Sequence, residues 1–493
     1  MQIVRSTLIR KAKDIYIPVH NTVELSYMAT LFMGSKYFQR LSKLKQLGAC
    51  NYVYPGAVHT RFEHSVGVYF LAGKLLDRLR ITPESQLHSY LSKVPELQTY
   101  YKTYASNNMD VVKSEADGPG LSMWIMELVK IAGLMHDIGH GPYSHVFDDD
   151  FIRESKYASH PMATHEARSC LIVQTIVSES SVLSKFMTLD DVRFIQQLIH
   201  PDDDREGFIY QIVSNSFNGL DVDKYDYIVR DTHHVGLKTS FEHTRLISNV
   251  IVVDDRIVYP EQAKQDIFNM FLTRHSMFLN VYSHKGVISA QYIITEIMKL
   301  VDRTISITDS ITDFNKFCKM TDEYVIQCAE FIILNRADYI KRKIYTDAEL
   351  IELQALLDRL NTHNLYPHIG TTLSSQPNTD HISPILNRFR DTSKYMIYSK
   401  KVGYVSGDNA NPLSKIYVYR TKDTLFSDSY AIKAKLINKH DITNLVPDRY
   451  QEYITMVFRR DRDTNGLAAD KKDFDELMDE VSCTSSDVDS SHS

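Results

Sequence analysis

The stretch Met135-His-Asp-Ile-Gly-His-Gly-Pro-Tyr-Ser-His145 brings His136, Asp137, His140 and His145 together, in a chain with 20 histidines among 493 residues. His136 and Asp137 end a strongly apolar run. An imidazole and a carboxylate in such a place need partners, because burying polar groups unpaired costs several kcal/mol. A divalent metal satisfies both, taking a borderline nitrogen and a hard oxygen donor. The competing reading is a helix C-terminus whose histidines are already hydrogen-bonded, followed by a Gly-Pro stop.

A metal requires more ligands, and two other segments offer them. His64 lies in His59-Thr-Arg-Phe-Glu-His-Ser65, at the start of an amphipathic run. Asp223 lies in Gly219-Leu-Asp-Val-Asp-Lys-Tyr-Asp-Tyr-Ile-Val-Arg-Asp231. Taken singly, each is more often a surface or capping residue. As a set, His64, His136, Asp137 and Asp223 make two imidazoles and two carboxylates from three separate helices. That donor set suits a hydrolytic metal with one position open for water.

The elements that must position these residues are mostly helical. Arg61 to Leu79 reads as a helix, with Val66, Phe70, Leu71, Leu75 and Leu79 on one broad face. Met123 to Met135 reads as a buried helix, broken in polarity only by Glu127 and Lys130. The apolar spacing from Leu25 to about Leu47 predicts one further helix, stopped at Gly48. More helix signals run through 160–235 and 262–301. Residues 1–25 predict extended structure, and 82–120 an insertion closed by Glu115-Ala-Asp-Gly-Pro-Gly120. Tyr339-Ile-Lys-Arg-Lys and Ala348 to Leu360 still read as helices. Beyond 375, Tyr395-Met-Ile-Tyr398 and Ile416-Tyr-Val-Tyr-Arg420 read as strands. The expected fold is therefore mainly α, with a helical core over 1–300 and a smaller α+β C-terminal lobe over 301–465. An acidic, Ser-rich tail over 466–493 is expected to be disordered, since it has little apolar surface to bury.

Composition bounds the rest. Gly (18) and Pro (14) are scarce against typical usage of about 7% and 5%, which favours helices. A net charge of −6 argues against a general polyanion binder. The cysteines Cys50, Cys170, Cys318, Cys328 and Cys483 are odd in number and form no Cys-x-x-Cys pair, so free thiols are expected. No apolar stretch approaches the roughly 18 residues of a membrane helix. The N-terminus shows no secretory signal, and a cytoplasmic location is expected, with the nucleus also open.

Several stretches in order resemble the HD-domain metal-dependent phosphohydrolases. Within them, the chain is similar to the deoxynucleoside triphosphate (dNTP) triphosphohydrolases of the SAM-and-HD-domain-containing type. The resembling stretches begin with Phe38-Gln-Arg-Leu, Lys45-Gln-Leu-Gly48, Tyr52-Val-Tyr-Pro-Gly-Ala57 and Arg61-Phe-Glu-His-Ser65. They continue with His136 to His145, Thr164-His-Glu166, Asn218 to Tyr227, Arg230-Asp231 and Tyr282-Ser-His-Lys285. They cover roughly 13–300, with a weaker match to about 465. No segment resembles a SAM domain, as the HD region begins almost at residue 1.

The resemblance implies residue roles. His64, His136, Asp137 and Asp223 match the metal ligands, for iron, zinc or manganese, with magnesium accompanying the substrate triphosphate. Arg61 matches a phosphate contact. His145 matches the histidine beside the leaving 5′ oxygen, a general-acid candidate. His165 and Asp148 match a pair near the α-phosphate, and His140 belongs to the same histidine wall. Lys224, Tyr227 and Arg274 match triphosphate contacts. Gln46, Asp231 and Tyr282 match the sugar pocket, where the first two hold the 3′-hydroxyl and the tyrosine crowds the 2′ position. Leu47 matches an apolar contact there. Without the resemblance, Tyr227 and Tyr282 would read as packing, Lys224 and Arg274 as solvated charges, and Arg459-Arg-Asp-Arg462 as a solvated edge.

The resemblance fails at one place. The guanine-reading Asp and Arg of activated relatives align with Gly34 and Ser42. Asp14 and Tyr16 stand where the family has Val and Asn, and Pro260 and Gln262 where a basic pair is expected. The resemblance thus implies hydrolysis of a dNTP to the deoxynucleoside and inorganic triphosphate, in a homo-oligomer (dimer or tetramer), without guanine-nucleotide activation. The alternatives are an HD phosphohydrolase acting on another nucleotide or a nucleic-acid end, and a weakly catalytic nucleotide or nucleic-acid binder.

Overall fold

The computed structural model describes residues 5–105, 120–374, 382–404, 411–420, 432–438, 442, 450–461 and 464–489. The fold is mainly α, as composition and periodicity predict. Two compact units emerge, and neither is a continuous stretch. The first comprises 1–273, 301–328 and 412–446; the second comprises 274–300, 329–411 and 447–493. The boundary expected at 300 is thus replaced by an interleaved division, because long-range pairing returns late segments to early ones.

In the first unit the chain enters through a hairpin, Lys11–Ile17 paired antiparallel with Asn21–Ser26. Helix Arg61–Leu79 forms the centre and is buried along most of its length. It packs against Met123–Met135 and Val222–Val235, while Leu189–Ile199 closes over Met123–Met135 and His165–Glu179. Each flanking helix starts on a polar cap that accepts an otherwise unpaired N–H. Ser122 caps at Ile125 N, Thr164 at Ala167 N and Asp221 at Lys224 N. Gly236, left-handed at φ 75°, ends Val222–Val235. Gly67 permits the closest approach. A Cβ there would lie 2.0 Å from Asp226 Oδ1, so a larger residue would push the two helices apart.

The single helix expected from 25 to 47 is broken. Tyr27–Met33 stops at Gly34, Ser35 caps a new turn at Phe38 N, and Lys36–Gln39 passes into a 3-10 turn, Arg40–Lys43. A glycine followed by a capping serine outweighs the apolar spacing that continues through them. The 82–120 excursion holds helices Glu84–Leu91 and Gln98–Ala105. Most of its closing breaker, 115–119, lies outside the described residues. A four-stranded sheet joins Ile251–Val253 and Arg256–Pro260 to Tyr417–Tyr419 and Lys435–Leu436.

In the second unit, Gln451–Arg459 is the middle strand between His368–Ser374 and Tyr395–Gly403, all antiparallel. Its core gathers Ile369, Ile385, Phe389, Tyr395, Val457 and Phe474. The acidic tail departs from expectation over most of its length: Thr464–Asp489 is a helix. Phe474 is its apolar anchor, and Asp470 and Asp473 meet Arg388, with Asp470 also 2.5 Å from Arg459. Paired aspartates and one buried ring supply what composition alone did not promise. Residues 490–493 lie outside the described residues, as does Arg462 of the basic cluster, whose Arg460 pairs with Glu296. Among the described residues, no helix is long and apolar enough to cross a membrane.

Candidate metal centre and histidine wall

Three of the four sequence-derived ligands, His64, His136 and Asp223, form one group that could hold a metal ion, while Asp137 falls in a second such group with His140 and His165. His64 comes from the first turn of Arg61–Leu79, His136 and Asp137 from the C-terminal end of Met123–Met135, and Asp223 from the first turn of Val222–Val235. His64 Nε2 lies 3.3 Å from His136 Nε2, 3.1 Å from Asp223 Oδ1 and 3.5 Å from Asp137 Oδ2. His136 Nε2 is 3.4 Å from both Asp137 Oδ1 and Asp223 Oδ1. Metal–ligand bonds of about 2.1 Å separate neighbouring donors by about 3.0 Å in octahedral and 3.4 Å in tetrahedral geometry. The spacings among His64, His136 and Asp223 match these edges, so these three fit a divalent metal, with Asp137 beside them through different oxygens.

The far nitrogens of both imidazoles are occupied. His64 Nδ1 meets Asp226 Oδ2 at 2.8 Å, and His136 Nδ1 donates to the Gly133 carbonyl at 2.7 Å. Both rings therefore turn Nε2 inward, the orientation a ligand needs. Asp226 is fully buried and also meets His20 Nε2 at 2.5 Å and Arg230 Nε at 2.8 Å. Sequence reasoning missed Asp226, His20 and Arg230. The i, i+4 spacing of Asp226 and Arg230 is the local signal that could have found two of them.

The centre calls for positive charge. Burial would lower the His64 pKa, yet Asp223, Asp226 and Asp137 push it up to about 10. Burial would raise Asp137, but Arg61 and the imidazoles of His136 and His140 hold its carboxyl well below the usual range. Arg61 is buried against Asp137, and its Nε donates to Ser144 Oγ at 2.9 Å.

Beside this cluster stands the histidine wall. The rings of His140 and His165 stack at 3.8 Å, and His145 meets them edge-on at 5.0 and 5.6 Å. His140 Nε2 is 3.3 Å from Asp137 Oδ1, which joins the wall to the metal set. Burial and the neighbouring Arg61 and His165 lower the His140 pKa, so the ring stays neutral. Asp148 Oδ2 lies 3.0 Å from His165 Nδ1, and its other oxygen pairs with buried Arg168. His145 is exposed. A reacting group beside the metal set therefore meets one buried neutral ring, one ring oriented by a carboxylate, and one ring open to solvent.

The remaining expected residues divide between the units. Asp223, Tyr227 and Asp231 follow one another at i, i+4 and i+8 and share a face of Val222–Val235. Asp231 is buried, with Oδ1 2.8 Å from His59 Nε2, and His59 stacks on His234 at 4.3 Å. The Gln46 backbone N–H donates to the His59 carbonyl, and its buried side-chain Oε1 has no hydrogen-bond partner. Leu47 beside it is half-buried. Lys224 Nζ is 2.7 Å from Asp221 Oδ2, so this expected phosphate contact carries an internal ion pair. Arg274 and Tyr282 belong to the second unit. There Arg274 is buried, donates to the Gly403 carbonyl and lies over Phe278, whose ring also meets Tyr282 at 5.0 Å. Arg40, in the Phe-Gln-Arg-Leu stretch, was given no role, yet it donates to the carbonyls of Ile138, His140 and Met320 and so supports the loop after His136.

A helical scaffold that gathers His64, His136 and Asp223 into one group, with the adjacent His136-Asp137 pair on a helix end, is the arrangement of an HD-domain protein. Residues 121–191 match the HD domain, a span that includes His136, Asp137 and the wall. An HD domain-containing protein of Acanthamoeba polyphaga mimivirus is 34% identical over 436 residues, 85% of this chain and 88% of that protein. The chain belongs to the HD-domain family, as a phosphohydrolase with His/Asp groups that could hold a divalent metal. It is also similar to the deoxynucleoside triphosphate triphosphohydrolase SAMHD1 of Homo sapiens, 29% identical over 513 residues, 94% of this chain and 72% of that one. The SAMHD1 homolog of Dictyostelium discoideum is 28% identical over 467 residues, 92% of this chain and 78% of its own length.

Proposed function

We propose that this protein hydrolyses a deoxynucleoside triphosphate to the deoxynucleoside and inorganic triphosphate. The observation that carries the reading is that Asp137 lies against both the His64–His136–Asp223 group and the group it forms with His140 and His165. Similarity along nine-tenths of the chain to two proteins named as dNTP triphosphohydrolases supports the substrate class. His64, His136, Asp137 and Asp223 would hold iron, zinc or manganese, which supplies Lewis acidity at the attacked phosphorus when bound. Arg61, fixed by Ser144, neutralises phosphate charge. Asp148 orients His165 beside the α-phosphate. Exposed His145 carries the proton for the leaving 5′ oxygen. Buried Gln46 Oε1 and Asp231 take the 3′-hydroxyl. The enzyme acts as a homo-oligomer in the cytoplasm.

The test is to incubate the protein with the four dNTPs, the four NTPs, 2′,3′-dideoxy analogues and an oligonucleotide, and to resolve the products. Triphosphate released from dNTPs, with NTPs and dideoxy analogues poor, is the expected result. A site built to hydrogen-bond a hydroxyl rejects an analogue lacking it by about 10⁴-fold or more. Equal rates on ATP and dATP, or cleavage of the oligonucleotide alone, would refute the reading.

A further inference from the structure

Asp322 lies far in sequence from the metal centre and the histidine wall, and it is almost fully buried. Its two carboxylate oxygens divide between two segments that no helix or strand holds together. Oδ2 accepts from the Lys45 backbone N–H at 2.9 Å, and Oδ1 accepts from the Tyr143 backbone N–H at 2.7 Å. The first segment continues directly into Gln46 and the second into Ser144 and His145. The two also touch each other, because Ser144 Oγ donates to the Lys45 carbonyl at 2.8 Å. Gly48 lets them approach: its φ is +53°, and a Cβ there would lie 2.7 Å from the Tyr143 carbonyl oxygen.

The clamp is needed because the second segment is not a relaxed loop. Tyr143 and Ser144 have φ of 58° and 61°, two consecutive non-glycine residues in the left-handed region. Such conformations persist only where surrounding contacts over-determine them. A carboxylate accepting the Tyr143 amide supplies that contact at the residue where the strain begins.

We propose that Asp322 is a positioning residue: one buried carboxylate ties the segment bearing Gln46 to the strained turn that presents His145. It holds the sugar-binding and proton-donating sides of the site in a fixed relation without touching substrate. The assignment of those two sides rests on the dNTP reading; the clamp itself does not.

Asp322→Asn is the informative change. It keeps size and one acceptor oxygen but turns an NH₂ towards one of the two amides. Hydrogen exchange read residue by residue by mass spectrometry should show slow Lys45 and Tyr143 amides in the wild type. In Asp322→Asn the amide that faces the NH₂ should exchange about tenfold faster or more, as expected when a buried amide loses its acceptor. Metal content should stay at the wild-type level. With dATP as substrate, kcat should fall about tenfold to a hundredfold, as for a group misplaced by about an ångström. The part of that loss that acts through His145 should disappear in a His145→Ala background, so the two losses should combine to less than their product. If the two losses multiply instead, Asp322 does not act through His145 and the proposal is overturned. Unchanged exchange in both peptides also overturns it. If Asp322→Asn does not fold, the wild type still decides, since Lys45 and Tyr143 amides exchanging like free loop amides would overturn it. A wild type inactive on every dNTP defeats the substrate reading, and the exchange comparison then judges the clamp alone.

Discussion

Asp226 Oδ2 stands 2.8 Å from His64 Nδ1, so a carboxylate outside the donor set governs which way a metal-binding imidazole faces. The same carboxylate is fixed by Arg230 and His20, and Gly67 leaves the room for it. Outer partners of this kind typically account for about 10–100-fold in metal affinity. Asp226→Asn should therefore weaken metal binding by about that factor in a chelator competition. Asp223→Ala, which removes a donor, should leave little metal by elemental analysis. Equal metal retention by Asp226→Asn and wild type would show that His64 needs no such support.

His145 is exposed and has no place in the donor set. His145→Ala should keep its full metal content and lose about 10²–10⁴-fold in kcat, the usual contribution of a general acid. Loss of metal together with activity would make His145 a ligand or a structural residue.

Asp148 sets an acid limit on stability. Burial would raise its pKa, but Arg168 and His165 outweigh burial and hold it below the ordinary range. A depressed folded pKa contributes stability above the unfolded value of about 3.9, and loses it as pH falls through the folded value. The wild-type melting temperature should therefore drop steeply below about pH 4. Asp148→Asn should cost about 3–5 kcal/mol at neutral pH, because Arg168 is left buried without its partner. The gap between the two proteins should narrow as the pH falls from 4. A gap that stays constant down to pH 2 would show that this carboxylate is not the linked group.

Gly34 and Ser42 bear on regulation. Gly34 ends helix Tyr27–Met33, and Ser42 Oγ donates to the Gln39 carbonyl at 2.7 Å. Neither offers the carboxylate or guanidinium that reads guanine in activated relatives. A ligand shifts an equilibrium only through differential affinity. GTP should thus change dATP hydrolysis by less than about twofold and leave the mass from light scattering unaltered. A large GTP-dependent rise with tetramer formation would reveal a surviving pocket.

The sequence by itself determined the parts whose information is local. Arg61–Leu79 and Met123–Met135 have the residue ranges that periodicity indicates, because a helix is encoded by neighbours three and four positions apart and by its caps. The grouping of His64, His136 and Asp223 was legible for a related reason: histidines and aspartates at helix ends need partners, and the chain offers few other sets. Apolar spacing failed from 25 to 47, where a cap at Ser35 overrode it, and composition failed at 464–489, where Phe474 and paired aspartates anchor a helix. Only the tertiary structure decided what joins the donors to the rest. Asp226 reaches His20 across the hairpin, His59 supports Asp231, and Asp322 binds Lys45 and Tyr143. Each of these contacts links segments far apart in the chain, and a carboxylate that accepts from a distant amide has the same local sequence as one that faces water.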